Sequence, residues 1–418
     1  MRDERRGERS IASHTGERDV KILKLEIEGF RSLRHVCWEP GDLNVLIGPN
    51  GSGKSNLLRL LETLVRSATG GLGRYVQQEG GMEPLVWDGR SDSIRVALEA
   101  SPLPPYEDAQ TDAVTYELVM ARLKKTSAYR IDRETLENRC GQKRRKGAEP
   151  FVLLRRDPRQ AIIFDMKQQA IDAAQTASIP EQETLLSANQ GPFSVNPYVT
   201  RFREQIAGWR IYQDFHTDRE ADVRSPVVAR VENQVDEDGQ NLIAVLHTLY
   251  TESRDFKREV NTAMEAAFGE DFEKLEFPPA ADQRVQLRVH WKSLRRGKPA
   301  ADLSDGMLRF LYLMAILANP SPPPLIAIDE PETGLNPSMF PIIAEHAVEA
   351  ARKTQVIFST HSPEFLDAFR DAVPTTTVLE WRDGQTELKV LSGETLAYWL
   401  KQYTLGELYR SRELEAMG

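Results

Sequence analysis

The spacing of hydrophobic residues changes several times along the chain and divides it into predicted strands and helices. Residues 21–30 (KILKLEIEGF) alternate apolar and polar side chains like a half-buried strand, and residues 43–47 (LNVLI) form a short apolar run like a buried one. Residues 56–65 (NLLRLLETLV) carry apolar side chains three and four positions apart, which predicts a helix. We expect residues 93–100 and 114–123 to be strands of a small antiparallel sheet that flanks this first unit.

The second half of the chain follows a different order. From about residue 166 to 277 helical spacing dominates, and we expect an inserted, mainly helical lobe there. After Leu303, helical patterns alternate with short apolar runs such as 325–329 (LIAID) and 356–360 (VIFST), an order that predicts a parallel sheet covered by helices. The predicted division is a mobile tail at 1–19, the first part of an α/β head at 20–165, the inserted lobe at 166–300 and the second part of the head at 301–418.

Composition narrows the class of protein. Hydrophobic residues make up 40% and charged residues 28% of the 418 positions, as in soluble globular proteins. A net charge of -9 argues against a uniformly basic coat for nucleic acid. Cys37 and Cys140 are too few for a disulfide framework or a paired zinc site, and no run of about 18 apolar residues could insert into a membrane. We therefore expect a cytoplasmic protein.

A glycine-rich segment between the predicted strand 43–47 and the predicted helix 56–65 carries the strongest chemical signal. It reads GPNGSGKS over residues 48–55 and fits the phosphate-loop pattern, in which backbone N–H groups and the positive end of a helix face a polyphosphate. Lys54 is expected to bridge the β- and γ-phosphates of ATP, and the Ser55 hydroxyl to ligate Mg²⁺. The predicted nucleotide-binding residues of this segment are Gly48, Asn50, Gly51, Ser52, Gly53, Lys54, Ser55 and Asn56.

Two acidic residues end the apolar run that begins at Leu325. Asp329 and Glu330 would lie at the carboxyl end of a strand, where open α/β sheets place their ligands. We expect Asp329 to hold Mg²⁺ through its water shell, together with Ser55. Glu330 is expected to orient or deprotonate the attacking water as a catalytic residue.

Four further motifs stand in order along the chain: GFRSL at 29–33, LSDGM at 303–307, EPETGLNP at 330–337 and STHS at 359–362. With them, the sequence resembles the ATP-binding-cassette-type (ABC-type) ATPases, in the RecF/SMC/OLD-like branch that is often grouped as AAA-family predicted bacterial ATPases. The resemblance covers about residues 21–65 and 300–370. It implies an ABC-type P-loop ATPase head that uses ATP and Mg²⁺, with a mixed or parallel sheet, a flanking antiparallel sheet and the inserted helical lobe.

The resemblance also implies a composite site between two protomers. The phosphate loop of one protomer would face LSDGM of the other, so that Ser304 and the Gly306 backbone touch the γ-phosphate across a homodimer or higher oligomer. His361 would contact the same phosphate as a catalytic residue and sense its loss. Asp305 replaces a glycine of the family pattern and brings a negative charge near the nucleotide. The Q-loop glutamine of the family has no clear counterpart among Gln77, Gln78, Gln168 and Gln169.

The distances between motifs along the chain argue against two classes of related protein, long-armed SMC-type proteins and OLD-type nucleases. Lys54 and Ser304 are 250 residues apart without a sustained heptad repeat between them, which excludes a long-armed SMC-type protein. Only 57 residues follow His361, about half of what the metal-dependent nuclease domain of OLD-type proteins needs. The acidic triplet 236–238 precedes a glycine and is better explained as a turn and helix start than as a metal site.

Two stretches of the chain are locally basic, although the net charge of the whole chain is negative. Residues 139–159 hold eight Lys or Arg and two acids, and residues 283–301 hold six Lys or Arg and no acid. Such stretches could meet the phosphates of DNA, or they could be solvated loops or a docking surface for an acidic partner. The predicted DNA contacts are Lys143, Arg144, Arg145, Arg295 and Arg296.

These observations predict a Mg²⁺-dependent ATPase that dimerises or rearranges on ATP binding and uses hydrolysis as a switch. The chain carries ATPase motifs but no evident second catalytic motif. This favours the sensor or regulatory ATPase of a bacterial anti-phage system, such as Septu-like or retron-linked sets, which acts with a separate nuclease or toxin. The alternative is a RecF-like ATPase of DNA repair or genome maintenance. A transporter ATPase subunit fits less well, because of the large insertion and the GFRSL element.

Overall fold

The computed structural model describes residues 20–103, 111–124, 126–140, 150–158, 160–165, 170–172, 179–189, 196–369, 372–391 and 394–416. Its strands, in chain order, are β1 (Ile22–Phe30), β2 (Leu33–Trp38), β3 (Leu43–Ile47), β4 (Ser93–Ala100), β5 (Thr111–Arg122), β6 (Tyr129–Cys140), β7 (Phe151–Arg156), β8 (Ala161–Asp165), β9 (Ala170–Asp172), β10 (Arg210–Tyr212), β11 (Val227–Val228), β12 (Phe272–Glu276), β13 (Pro279–Ala280), β14 (Arg284–Val285), β15 (Arg288–Trp291), β16 (Lys298–Pro299), β17 (Leu325–Asp329), β18 (Gln355–Thr360), β19 (Thr375–Arg382) and β20 (Gln385–Leu391). Its helices are α1 (Lys54–Thr69), α2 (Leu72–Gln78), α3 (Leu185–Ala188), α4 (Pro197–Ala207), α5 (Leu242–Glu252), α6 (Arg254–Phe268), α7 (Asp305–Leu317), α8 (Phe340–Ala351), α9 (Pro363–Leu366), α10 (Glu394–Trp399), α11 (Leu405–Arg410) and α12 (Glu413–Ala416).

An antiparallel sheet flanks the head, as the sequence predicts, but it has eight strands and is larger than the small sheet expected. Its strands run in the order β2, β1, β4, β5, β6, β7, β8, β9. Along β4 every second side chain is buried, which is the alternation visible in the sequence. Ile27 and Leu98 of this sheet share a hydrophobic core with Leu57 and Leu61 of α1. Burial of these apolar side chains therefore fixes the sheet against α1.

The central sheet runs in the order β10, β17, β18, β3, β19, β20 and is mixed. Its neighbouring strands are parallel except for the antiparallel pair β19 and β20. All residues of β18 are buried, so helices cover both faces of the sheet. Ile326 and Phe358 belong to the core that contains α7 and α8, whereas Leu325 and Ile357 belong to the core that contains α1. The predicted alternation of helices and apolar strands after Leu303 is confirmed.

The segment predicted as a mainly helical insertion, 166–300, differs from that prediction in one respect. Its described residues form α3 to α6, but they also form the short strands β9 to β16. Strand β10 pairs in parallel with β17 and completes one edge of the central sheet, and α4 packs against α1. These strands have two to five residues, which is too short to produce a period that the sequence pattern can reveal.

Other expectations concern particular segments. Residues 236–239 form a turn in which the Gly239 backbone N–H donates to the Asp236 carbonyl oxygen at 2.9 Å, and α5 follows, as predicted. None of the helices in the described part of the chain is long and apolar enough to cross a membrane. The predicted tail at 1–19 and the basic residues 143–145 lie outside the described residues.

Candidate functional site

Three neighbouring parallel strands of the central sheet end at the same edge. Asp329 at the end of β17 pairs in register with Ser359 of β18, and Ser359 pairs with Leu46 of β3. Because parallel strands place their carboxyl ends together, the loops after these strands meet at this edge. Those loops carry the glycine-rich segment, Glu330 and His361.

Two positions of the glycine-rich segment accept only glycine. Gly48 has a φ of 149° and Gly53 a φ of 109°, in the region that other residues rarely adopt. A Cβ atom on Gly48 would lie 2.2 Å from the carbonyl oxygen of Leu379, and one on Gly53 would lie 2.2 Å from Oγ1 of Thr386. The missing side chains therefore let the loop pass against β19 and β20 before it enters α1.

Lys54 is the first residue of α1, and its side chain is buried over the loop. Its Nζ donates hydrogen bonds to the carbonyl oxygens of Gly48 at 2.7 Å and Pro49 at 3.2 Å. Burial lowers the pKa of the Lys54 ammonium, and the nearby carboxylates of Asp329 and Glu330 oppose that shift. An anionic oxygen bound in the loop would therefore stabilise the charged form of Lys54.

Ser55 and Asp329 bring two oxygen donors together. The Ser55 hydroxyl donates to Oδ2 of Asp329 at 3.3 Å, and Oδ1 of Asp329 accepts a short hydrogen bond from the Ser359 hydroxyl. Burial raises the pKa of Asp329, and the hydrogen bond from Ser359 opposes the shift. The described residues contain no cluster of three or more His, Cys, Asp or Glu suited to a metal. Two hard oxygen ligands fit Mg²⁺, which takes its other ligands from phosphate and water.

Glu330 and His361 form a partly exposed pair beside these donors. Oε1 of Glu330 lies 3.1 Å from Nδ1 of His361, and the two side chains are 40% and 47% exposed. Glu330 has a φ of 46°, and its backbone N–H donates to the carbonyl oxygen of Ser359 at 3.0 Å. A non-glycine residue held in this left-handed conformation is strained, and such strain is concentrated at functional sites.

A second carboxylate lies next to His361 and was not singled out from the sequence. Glu332 is 8% exposed, and its Oε1 accepts hydrogen bonds from the Thr360 hydroxyl and, at 3.4 Å, from the backbone N–H of His361. Burial raises the pKa of Glu332. Its Oε2 has no hydrogen-bond partner among the described residues. Glu332 therefore holds the end of β18 from which His361 projects.

The GFRSL element reaches the glycine-rich loop through Ser32. The Asn56 side-chain amide donates to Oγ of Ser32 at 2.8 Å, and the Thr386 hydroxyl lies 2.7 Å from the same oxygen. Thr386 also lies within hydrogen-bond distance, 2.8 Å, of the Ser52 carbonyl oxygen. These contacts join the turn after β1, the loop and β20 into one unit.

An open cavity of about 550 Å³ adjoins Ser32 and contains two tryptophan side chains. Trp381 is 55% exposed, and Trp87 donates from Nε1 to the carbonyl oxygen of Gly384 at 3.0 Å. The Arg34 guanidinium lies 4.4 Å from the centre of a Trp87 ring. A flat heterocycle could stack on the exposed Trp381 indole, or on the face of Trp87 that Arg34 does not cover.

The LSDGM segment forms the start of α7. Ser304 caps this helix, since its Oγ accepts a hydrogen bond from the Met307 backbone N–H at 3.3 Å. A Cβ atom on Gly306 would lie 2.9 Å from the carbonyl oxygen of Gly334, so a larger residue would push the two loops apart. In the described part of the chain, Ser304 and Gly306 make no hydrogen bond to the phosphate loop. Within one chain, the phosphate loop and the LSDGM segment are therefore two separate parts of the predicted site. Asp305, which is expected to bring a negative charge near the nucleotide, is paired with a guanidinium described below.

Gln213 belongs to this edge and was missed in the sequence. It follows β10 and lines a small cavity together with Asp329 and Glu330. Its buried Nε2 has no hydrogen-bond partner in the part of the chain that the structure describes. The signal was the largely apolar segment 209–212 (WRIY) before it, which the helical interpretation of 166–277 concealed.

The other candidate positions are exposed, are engaged elsewhere or lie outside the described residues. Glutamines 77 and 78 are exposed at the end of α2, and residues 168–169 lie outside the described residues. Residues 295–296 are exposed in the turn between β15 and β16. Arg156, within the first basic stretch, is buried and donates to backbone carbonyl oxygens, so it is not free to meet a phosphate.

A glycine-rich loop at the start of α1, a strand that ends in two carboxylates and a separate capped helix on a mixed sheet define an ABC-type P-loop ATPase. The family described as "AAA domain, putative AbiEii toxin, Type IV TA system" matches residues 43–367, and the chain belongs to that family. Family membership and fold together are those of an ABC-type AAA ATPase.

Solved structures and a curated relative agree with this class. The chain is similar to the SmcHead bound to the C-winged helix domain of ScpA, with 14% identity, a TM-score of 0.55 and coverage of 90% of this chain and 99% of that one. A Pyrococcus furiosus Smc head domain with an extended coiled coil, bound to the C-terminal domain of ScpA, has 13% identity, a TM-score of 0.50 and coverage of 92% and 99%. The petrobactin import ATP-binding protein FpuC of Bacillus anthracis is 38% identical over 89 residues, which are 20% of this chain and 28% of that protein.

Proposed function

We propose that the protein hydrolyses Mg²⁺-ATP and uses ATP-dependent association of two copies as a conformational switch. The observation that carries the proposal is the convergence of Lys54, Ser55, Asp329, Glu330 and His361 at one edge of the central sheet. A buried cation, two hard oxygen ligands and a carboxylate next to an imidazole are the groups that phosphoryl transfer to water requires.

Each group has a task in the proposed reaction. Lys54 binds β- and γ-phosphate oxygens, and Ser55 with Asp329 would hold Mg²⁺, which when bound neutralises charge on the phosphates. Glu330 orients the attacking water or accepts its proton. His361 contacts the γ-phosphate and loses that contact when the phosphate leaves. Its Nδ1 lies 3.1 Å from Oε1 of Glu330. Loss of the contact supplies the switch.

The aromatic cavity beside Ser32 supports a place for the base of the nucleotide. Ser32 contacts Asn56 and Thr386, and Thr386 contacts the glycine-rich loop at Ser52. A nucleotide whose phosphates occupy the loop could therefore extend toward the cavity and stack its base on Trp381 or Trp87.

The separation of the phosphate loop from the LSDGM segment supports association of two copies. Ser304 and Gly306 lie at the start of α7, where backbone N–H groups and the positive helix end suit a phosphate. Neither residue is hydrogen-bonded to the loop of its own chain in the described residues, which supports a role for both in contacting ATP held by a second copy.

As its biological role, we propose a sensor or regulatory ATPase that acts with a separate effector, a nuclease or toxin, in anti-phage defence. The description of the matched family, which names a putative AbiEii toxin and a type IV toxin–antitoxin system, supports a place in a system of two components. Copurification from the native host is expected to recover the effector in an ATP-dependent complex. Recovery of the ATPase alone, combined with tight DNA binding, would contradict the role.

One observation favours a second candidate, a DNA-bound maintenance ATPase. Arg295 and Arg296 are exposed in the turn between β15 and β16, which also contains Lys292 and leads into Lys298 of β16, and residues 283–301 hold no acid. This candidate predicts DNA binding that weakens as salt rises, and weakens further when Arg295 and Arg296 are changed to glutamate. Binding that is insensitive to both changes would exclude it.

The proposed ATPase switch is tested with two variants. Lys54→Ala is expected to abolish nucleotide binding, because it removes the buried cation of the loop. Glu330→Gln is expected to bind ATP, release phosphate at least about a hundredfold more slowly, and accumulate as a dimer in sedimentation velocity. Glu349→Gln, an exposed acid on α8, is the matched control and should behave like wild type. Normal turnover by Glu330→Gln would refute the assignment.

A further inference from the structure

Arg224 joins two loops that are far apart in the sequence. It ends a short 3-10 turn (Asp222–Arg224), and only 10% of its side chain is exposed. Its Nε donates to the carbonyl oxygen of Thr217 at 2.8 Å and lies 3.1 Å from that of Asp218. One side of the guanidinium therefore holds the loop that follows β10 and Gln213.

The other side of the guanidinium faces the segment that leads into α7. Nη1 lies 2.8 Å from the carbonyl oxygen of Leu303 and 3.3 Å from those of Ala300 and Ala301. Nη2 forms a short ion pair with Asp305, the third residue of LSDGM, whose own side chain is 65% exposed. A guanidinium carries five N–H donors in a fixed fork, so this one side chain can satisfy the carbonyl oxygens and the carboxylate together.

We propose that Arg224 is the positioning residue that neutralises Asp305 and thereby lets the LSDGM segment approach a triphosphate. The inference rests on the proposed function, in which this segment faces ATP bound to a second copy. An unpaired carboxylate between Ser304 and Gly306 would repel the γ-phosphate, because like charges brought together at an interface are strongly unfavourable. Arg224 is bonded to Asp305 within the same chain, so the neutral pair exists before the two copies meet.

A second arginine shows that α7 and the Gln213 loop are linked as a unit. Arg309, on the first turns of α7, donates to the carbonyl oxygen of Phe215 at 3.4 Å, and its guanidinium lies 6.0 Å from the centre of the Phe215 ring. Together with Arg224, it connects the loop beside Asp329 to the start of α7. Arg224 therefore has two separable roles, the mechanical link through backbone carbonyl oxygens and the neutralisation of Asp305.

Paired substitutions separate these roles. Arg224→Gln removes the positive charge and most of the carbonyl contacts, whereas Asp305→Asn removes the negative charge and leaves the carbonyl contacts in place. If neutralisation matters, Asp305→Asn should rescue Arg224→Gln. If Arg224 only links the two loops, the double variant should be as defective as Arg224→Gln alone.

The experiment measures ATP-dependent dimerisation by sedimentation velocity in a Glu330→Gln parent, which cannot complete the cycle. We expect Arg224→Gln to weaken dimerisation about tenfold or more, Asp305→Asn to stay within about twofold of the parent, and the double variant to recover to within about threefold. Binding of a fluorescent ATP analogue to dilute protomers should change less than about twofold in Arg224→Gln, because Arg224 is bonded to the LSDGM side of the site and not to the phosphate loop.

Four outcomes overturn the inference. The inference is wrong if Arg224→Gln dimerises as well as the parent, or if adding Asp305→Asn does not restore dimerisation of Arg224→Gln. Either result leaves the proposed function intact. A parent that does not dimerise with ATP overturns the proposed switch itself, and the inference with it. Arg224→Lys keeps the charge without the fork and provides a second measurement should the glutamine variant fold poorly. It is expected within about threefold of the parent, and a tenfold loss would assign Arg224 a purely mechanical role.

Discussion

Replacement of the buried Glu332 by glutamine should stabilise the protein at neutral and alkaline pH. The side chain is 8% exposed, and its Oε2 has no hydrogen-bond partner among the described residues. A buried, unsatisfied polar atom costs roughly 1–3 kcal/mol, and more when it is charged. The glutamine carbonyl oxygen can still accept the hydrogen bonds that Oε1 accepts from Thr360 and His361. The glutamine amide nitrogen would also lack a partner among the described residues, but a buried neutral group costs less than a buried charged one, so we expect Glu332→Gln to raise the free energy of unfolding by about 1 kcal/mol at pH 8.

The pH dependence of this gain identifies its cause. Burial raises the pKa of folded Glu332 above that of the unfolded chain, about 4.3. The contribution of this carboxyl to stability is therefore fully present below the unfolded value and is lost as the pH rises through the raised folded value. Glutamine does not titrate. The advantage of Glu332→Gln should accordingly be smallest near pH 4.5 and grow toward pH 8, as measured by urea unfolding followed by tryptophan fluorescence.

Glu364→Gln is the matched control, because its pKa shifts the other way. A backbone hydrogen bond, and then the bond from Arg410 at 3.0 Å, lower the pKa of Glu364. Its side chain is 54% exposed, so the loss of stability in Glu364→Gln should be small. That loss should be present at pH 7 and fade as the pH falls through the lowered pKa. A Glu332→Gln advantage that is absent at pH 8, or constant from pH 5 to 8, would refute the reasoning.

Three further predictions concern the nucleotide site. Gly53→Ala should destabilise the fold by about 1–3 kcal/mol and abolish ATP binding in a fluorescence titration, because φ is 109° and the added Cβ would meet Thr386 at 2.2 Å; unchanged binding would contradict this. Gln213→Ala should lower kcat about tenfold or more with ATP affinity within about threefold, since its side chain lines the same cavity as Asp329 and Glu330 and its buried Nε2 has no partner among the described residues; an unchanged kcat would exclude a role in turnover. Trp381→Ala should weaken ATP binding about fivefold or more if the base stacks in the cavity, and equal affinity of the variant and wild type would remove the base from it.

The class of fold was accessible from sequence because it depends on local patterns. Alternating residues in 93–100 and apolar runs after Leu303 correspond to β4 and to the parallel strands of the central sheet. The glycine-rich segment 48–55 must lie between a strand and a helix to cradle phosphate, and α1 begins at Lys54. Periodicity and turn chemistry act over a few residues, so they survive without knowledge of the tertiary contacts.

Strand β10 shows where local patterns stop being informative. It has three residues and becomes a strand because it pairs with β17, and that pairing brings Gln213 to Asp329 and Glu330. In the sequence the surrounding helices dominate, so the whole of 166–300 was predicted as a mainly helical lobe. A pairing between segments more than a hundred residues apart leaves no period to detect.

The sequence by itself determined the ATPase fold and the order of its motifs, since these depend on backbone conformations that short patterns encode. Only the tertiary structure decided which charges are paired. Arg224 meets Asp305 across 81 residues, and Glu332 is buried against the end of β18. Whether a carboxylate is free, neutralised or buried depends on which loops the sheet brings together, because hydrogen bonds and ion pairs require contact in space and not closeness along the chain.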